Sequence, residues 1–300
     1  MERREFLKAA FALTALPAVS GLGCVSLMAP RRPDGSPEPE PLDELLSQGA
    51  RVMWIAAHPD DECFSGSILA RASIFYGNPV SMLVFTHGDG GECGLSRGCH
   101  PDLATVRGEE MRRVALRYRA HLQHERLFNA PLPVSSFPPR HEIYRRWREV
   151  VDPVALTVKA IRRFRPDVVL TFEPTHGATG HPEHQLASRI ASTAVRLAAD
   201  EATAGEAPHP VKRTYYLLNR SLLFRLILRA DPGPVTETFD ATLPCRYGES
   251  CLDFMLHATR LHRTQKNDMG SVRAHPGLFE ILCLRQTDPW RERYDPEEPV

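Results

Sequence analysis

The chain has 300 residues, 42% of them hydrophobic and 25% charged, and its 37 Lys and Arg balance 37 Asp and Glu. A formal net charge of zero removes the basic surplus by which a protein holds nucleic acid or an anionic membrane through charge alone. The length suits one large α/β domain or two small ones, with enough apolar material for a sizeable core.

The first 30 residues differ from the rest. Arg3, Arg4 and Lys8 lead into the apolar run Ala9 to Val19, which ends in the small residues Ala18-Val19-Ser20. A run of about 11 residues is too short to span a bilayer, which takes roughly 20. It fits the apolar part of an export signal cleaved after Ser20. Arg3-Arg4-Glu5-Phe6-Leu7-Lys8 resembles a twin-arginine signal, with Glu2 where Ser or Thr is usual. The expectation is an exported, periplasmic or extracytoplasmic protein with no stable membrane span once the signal is removed. Cys24 offers lipid anchoring as an alternative, although Gly21-Leu22-Gly23 matches a lipobox poorly. Residues 1–30 are read as signal and start of linker, the Pro- and charge-rich 31–48 as linker, and 49–300 as one folded domain.

Within that domain, Val52 to Ala57 reads as a buried strand, and residues 62–76 as a helix stopped by Gly77. Val80 to Thr86 is a second strand, followed by a loop over 87–102 with five glycines. A helix with a strongly charged face is expected over 103–119, a short strand over 124–129, and one or two helices over 142–165 broken near Asp152-Pro153. Then come a strand over 168–172, a loop over 173–180, and a helix over 182–200 with Pro182 in its first turn, where a missing N–H costs nothing. A strand over 214–219 and a helix over 249–262 complete the reading. Strands alternating with helices predict an α/β, Rossmann-like, mostly parallel sheet with helices on both faces and the site at the carboxyl ends of the strands. Seven cysteines include two close pairs, Cys93 with Cys99 and Cys245 with Cys251, either of which could form a disulfide in an exported protein.

The chemistry concentrates at 56–62, Ala-Ala-His-Pro-Asp-Asp-Glu, directly after the first strand. Burying His58, Asp60, Asp61 and Glu62 together requires a cation or a network to satisfy them. A dinucleotide site is a poor fit, because it needs a glycine-rich turn there and these carboxylates would repel a phosphate. A catalytic zinc site needs about three His, Asp or Glu ligands and an open position. His58 and one of the two Asp residues can reach one ion, and the other Asp is then left free as a base for an activated water. The third ligand should come from another strand end. His181 and His184, three apart at a helix start, put two histidines on one face, one able to bind metal and the other to face the substrate. His87, His100 and His176 are loop histidines near the same crevice.

AHPDDE (57–62), FTHGDGGE (85–92), RGEEMRRVA (107–115), RPDVVLTFEP (165–174), GHPEH (180–184) and HRTQ (262–265) together resemble the PIG-L/LmbE-like deacetylase family, in its order. The resemblance implies a Rossmann-like fold and a zinc-dependent enzyme, Fe2+ being another candidate metal, that removes acetyl from N-acetylglucosamine units of glycolipids, glycosyl-inositols and related conjugates. Some members cleave other amides, so a metal-dependent amidase acting on a non-acetyl amide is the alternative. Carried over residue by residue, His58, Asp61 and His184 match the metal ligands, Asp60 the general base, and His181 the histidine that stabilises the oxyanion and protonates the amine. Arg107 matches an arginine near the substrate pocket. The implied partner is an amino-sugar small molecule or glycoconjugate, with no nucleic acid, and a homo-oligomer is common in the family. Glu183 stands where Asp is commoner. Thr179 stands where some members carry a tyrosine that helps the oxyanion. The segment from Cys93 to Cys99 is an insertion at the pocket rim.

Overall fold

The computed structural model describes residues 40–221 and 231–299. The export segment, Cys24 and the linker up to residue 39 lie outside the described residues.

Strand β1 (Val52–Ala56) has all five residues buried. It pairs in parallel with β2 (Val80–Thr86) on one edge and β4 (Val168–Phe172) on the other, Val52 lying opposite both Val80 and Val168. A strand with neighbours on both edges and helices on both faces has no solvent side, which is why VMWIA is apolar throughout. β3 (His121–Leu127) extends the sheet beyond β2, and β5 (Arg213–Leu218) extends it beyond β4, both in parallel. β9 (Ile281–Thr287) and β6 (Glu237–Asp240) add two antiparallel strands, giving the order β3-β2-β1-β4-β5-β9-β6. A small hairpin, β7 (Pro244–Arg246) and β8 (Glu249–Ser250), stands apart.

Alternate side chains of β1 feed two cores. Trp54 and Ala56 pack with α1 (Leu42–Ser47), α2 (Gly66–Ala70), α3 (Leu103–Arg117) and α7 (Cys251–Ala258) through Leu42, Leu69, Met111 and Phe254. Met53 and Ile55 pack with α4 (Arg140–Arg148), α5 (Pro153–Phe164) and α6 (Pro182–Ala199) through Trp147, Ile161 and Ile190. Chain order reverses between β1 and β4, so the crevice at their carboxyl ends is the ligand position expected of an open α/β sheet. No helix among the described residues is long and apolar enough to cross a membrane.

The structure differs from the sequence expectation in five places. α1 falls inside the stretch read as linker, because Leu42 and Leu46 are buried in the first core. The expected helix over 62–76 is a composite: a 3-10 turn (Asp61–Phe64), the short α2, and a π turn (Arg71–Phe75). Gly66 permits a close approach there, since a Cβ would lie 2.6 Å from the Tyr118 hydroxyl. β3 starts three residues earlier than expected. The helix expected over 249–262 is a two-residue strand, α7 and a 3-10 turn, with α8 (Lys266–Ala274), β6 and β9 unforeseen around it. Cys93 and Cys99 do form a disulfide with Cα atoms 6.0 Å apart, whereas Cys245 and Cys251 are free buried thiols.

Candidate functional site

The turn after β1 and the start of α6 after β4 bring His58, Asp61 and His184 together. His58 Nδ1 lies 3.0 Å from His184 Nε2. Asp61 Oδ1 lies 3.0 Å from His184 Nε2, and Asp61 Oδ2 lies 3.5 Å from His58 Nδ1. Ligands about 2.0–2.2 Å from a tetrahedral ion sit roughly 3.3–3.6 Å from one another, close to these separations. His181 joins them, and one ring nitrogen from each of the three histidines lies within 4.8 Å of the others.

Outer partners decide which lone pairs face inward. His184 Nδ1 lies 2.9 Å from the Gly177 carbonyl and 2.9 Å from the Thr179 hydroxyl. Nδ1–H therefore donates to the carbonyl, and Nε2 presents a lone pair to the cluster. His58 Nε2 donates to Glu183, leaving its Nδ1 lone pair facing the same point. Two imidazole lone pairs at 3.0 Å with a carboxylate beside them repel unless a positive charge lies between. The electrostatics agree. Burial would lower the pKa of His58, but the Asp61 and Glu183 carboxylates push it up to about 9. Burial would raise that of Asp61, but His184 and His58 hold it well below the usual carboxylate range. The donor set of two imidazoles and a carboxylate, with each histidine oriented from behind, fits a divalent transition metal.

Asp60 takes a different path from Asp61. Its φ of 100° is in the left-handed region, uncommon for a residue with a Cβ and tolerated more readily by Asp than by most residues. Its amide donates to Glu62 Oε2 at 3.1 Å, and its carboxylate accepts from Gln265 Nε2. Arg107 Nη2 is 3.9 Å from Asp60 Oδ2. Arg107, expected at the substrate pocket, is only 1% exposed, and it braces the loops by donating to the carbonyls of Pro59 at 3.1 Å and of Gly88. It thus lies beside Asp60, on the buried side of that residue.

His181 is the N-cap of α6, and its Nδ1 accepts from the Glu183 amide at 3.2 Å. A ring that accepts at Nδ1 carries its proton on Nε2, so His181 is set up as a donor. Its ring lies between those of Phe137 and His184, at 4.7 and 5.0 Å. The remaining histidines serve the frame. His87 bonds the Ala104 carbonyl and stacks on His124 at 4.0 Å, His176 pairs with Glu173, and His100 bonds the Arg97 carbonyl.

The sequence assigned no role to five supporting residues. Glu183, completely buried, accepts from the Ala130 amide and from Asn129 Nδ2, each at 2.6 Å, as well as from His58. Glu62 pairs with His262 at 2.7 Å, and Gln265 reaches Asp60. The signals were the third acid of AHPDDE, the acid inside GHPEH and the HRTQ segment; Asn129 carried none.

Residues 53–195 match the family model described as PIG-L, GlcNAc-PI de-N-acetylase. The 1D-myo-inositol 2-acetamido-2-deoxy-alpha-D-glucopyranoside deacetylase of Thermobifida fusca is 30% identical over 205 residues, 62% of this chain and 69% of that one. Other relatives of the same name align over about half of their own length, 54, 51 and 54%. Among solved structures, N,N'-diacetylchitobiose deacetylase of Pyrococcus horikoshii superposes with a TM-score of 0.57 at 17% identity, covering 82% of this chain and 87% of that one. The 4-carboxy-2-hydroxymuconate hydratase of Pseudomonas putida KT2440 also gives 0.57, at 15% identity over 80% and 97%. A fold shared by a deacetylase and a hydratase leaves the chemistry to be argued from the site.

Proposed function

The chain belongs to the PIG-L de-N-acetylase family, and on that premise we propose that it is a metal-dependent hydrolase removing the N-acetyl group from an N-acetylglucosamine-type conjugate. The observation that carries this reading is the inward-facing set of His58 Nδ1, His184 Nε2 and Asp61, with Asp60 beside it and outside the set.

In this proposal His58, Asp61 and His184 hold zinc, which when bound polarises a carbonyl and lowers the pKa of a water. Asp60 takes the proton of the attacking water, its carboxylate being positioned by Gln265 and Arg107. The water oxygen bonds to the amide carbon, and the carbonyl electrons move to oxygen. His181, with its proton on Nε2, donates to that oxyanion. Collapse breaks the C–N bond, the nitrogen gains the proton that left the water, and acetate departs. Thr179 orients His184 in place of contributing a tyrosine-like donor to the oxyanion. Export through the twin-arginine-like segment is part of the proposal, and the Cys93–Cys99 disulfide suits an oxidising compartment.

Two variants test the roles. Asp60→Ala is expected to keep zinc and lose at least about 100-fold in turnover, and His184→Ala to lose zinc. Near-native turnover in the first, or full zinc occupancy in the second, overturns the assignment.

A further inference from the structure

The turn that carries Asp60 is held from one short segment far away on the chain, His262 with the 3-10 turn Arg263–Gln265 behind it. Gln265 Nε2 donates to the Asp60 carboxylate and, at 3.2 Å, to the Pro59 carbonyl. His262 acts at one remove. Its Nε2 donates to Glu62 Oε1 at 2.7 Å, and the other oxygen of that carboxylate accepts from the Asp60 amide at 3.1 Å. The segment is itself fixed. The Gln265 amide donates to the His262 carbonyl at 3.1 Å, and Thr264 donates to Glu110 on α3 through its amide at 2.9 Å and its hydroxyl at 2.6 Å. All of this lies beyond residues 53–195, the part that matches the family model.

Two atoms set these side chains apart from ordinary polar residues of a core. His262 Nδ1 and Gln265 Oε1 are buried with no hydrogen-bond partner among the described residues. An unpaired buried acceptor costs stability, so this arrangement is unfavourable for folding alone. Only the donor ends are used, and both are aimed at the Asp60 turn. Glu62 is 1% exposed, and a carboxylate so buried needs its oxygens satisfied. His262 satisfies one of them, which fixes the other under the Asp60 amide. With φ at 100° and ψ at -21°, the backbone held there sets the direction in which the Asp60 side chain leaves the chain.

We propose that His262 is a positioning residue for the general base: through Glu62 it fixes the Asp60 backbone, while Gln265 fixes the carboxylate, so that an Asp60 oxygen stays aimed at the attacking water. The inference rests on the deacetylase reading and adds to it a residue that acts through another. A displacement of about 1 Å at a reacting group costs on the order of 100-fold in rate, so a loosened turn should show in kcat. His58, Asp61 and His184 are tied to one another, to Glu183 and to the Gly177 carbonyl without help from this segment, so metal occupancy should not change.

The test compares the zinc-loaded full chain with His262→Leu, which removes the donor, and His262→Gln, whose Nε2 still reaches Glu62 as a donor. Amine release from N-acetylglucosamine conjugates gives kcat and KM, and zinc content is measured in each protein. Crystal structures read the conformation at Asp60 without turnover. His262→Leu is expected to lower kcat about 10- to 100-fold, with KM within about twofold of the parent, zinc content unchanged and Asp60 released from its left-handed conformation. His262→Gln is expected to recover kcat to within about threefold of the parent. A kcat in His262→Leu within about threefold of the parent overturns the proposal, as does a loss that follows zinc content or one that His262→Gln does not repair. If His262→Leu does not fold, Glu62→Gln takes its place. It keeps the shape but meets one of its two donors with an NH2 group, and a parent-like kcat there overturns the proposal equally. A parent protein that releases no amine from any conjugate overturns the deacetylase reading. The crystal structures then decide the positioning role by themselves: an Asp60 backbone unchanged in the variants overturns it, and one that has moved supports it.

Discussion

Replacing Glu183 by Gln asks whether the carboxylate behind His58 prepares the nitrogen that would bind metal. Glu183 Oε1 accepts from the Ala130 amide, and Oε2 is shared by Asn129 Nδ2 and His58 Nε2. Gln keeps the shape and the acceptor for Ala130, but sets an NH2 group where Oε2 was. That group meets two donors. His58 then either loses its outer partner or moves its proton to Nδ1, the atom 3.0 Å from His184 Nε2. A hydrogen bond to a charged group contributes about 1.5–3 kcal/mol. At roughly 1.4 kcal/mol per decade, zinc affinity should fall about 10- to 100-fold, the range typical of a lost outer-sphere partner. Competition against a chromophoric chelator at fixed pH reads this directly, with a melting curve to show that the variant is folded. A folded Glu183→Gln protein that binds zinc within threefold of the parent would refute the reasoning.

Trp147 is fully buried, packs on Phe85 with ring centroids 5.1 Å apart, and donates to the Phe128 carbonyl at 2.7 Å. Trp147→Ala should cost about 3–5 kcal/mol in urea unfolding; a loss under 1 kcal/mol would mean that the second core closes over the gap. Burial, with the His87 charge beside it, pushes the His124 pKa from 6.5 down to about 4. The folded protein therefore binds fewer protons than the unfolded chain between those values, so stability should be full above pH 6.5 and fall as pH drops towards 4. Because His124 is only half-buried, about 1–3 kcal/mol is expected over that window. His124→Gln, which keeps a donor for the Thr86 carbonyl, should flatten the decline, and an unchanged profile would remove His124 as its cause.

The parallel core of the fold was legible because buried strands write themselves as apolar runs: β1, β2 and β4 fall within a residue of where the sequence puts them. β9 and β6 were not, since Arg285 and Gln286 interrupt the first and Glu237 and Asp240 bound the second. The composite helix after β1 could not be read locally, because its irregularity follows from Asp60 turning left-handed and from Gly66 meeting Tyr118. In the site, adjacency on the chain told that Asp60 and Asp61 diverge, and the structure sends Asp61 to the histidines and Asp60 to Gln265. What adjacency could not reveal is support from afar. Glu183 reaches His58 across 125 positions, and His262 reaches Glu62 across 200.

Asp60 and the His58–Asp61–His184 cluster are proposed to hydrolyse an N-acetyl amide. The most direct test is amine release from a panel of N-acetylglucosamine conjugates by the zinc-loaded protein, with Asp60→Ala alongside and zinc content measured in both. Release is expected from at least one conjugate, reduced at least about 100-fold in the variant at unchanged zinc content. Zinc-loaded protein that releases no amine from any conjugate, or a variant that releases it at the parent's rate, would contradict the proposal.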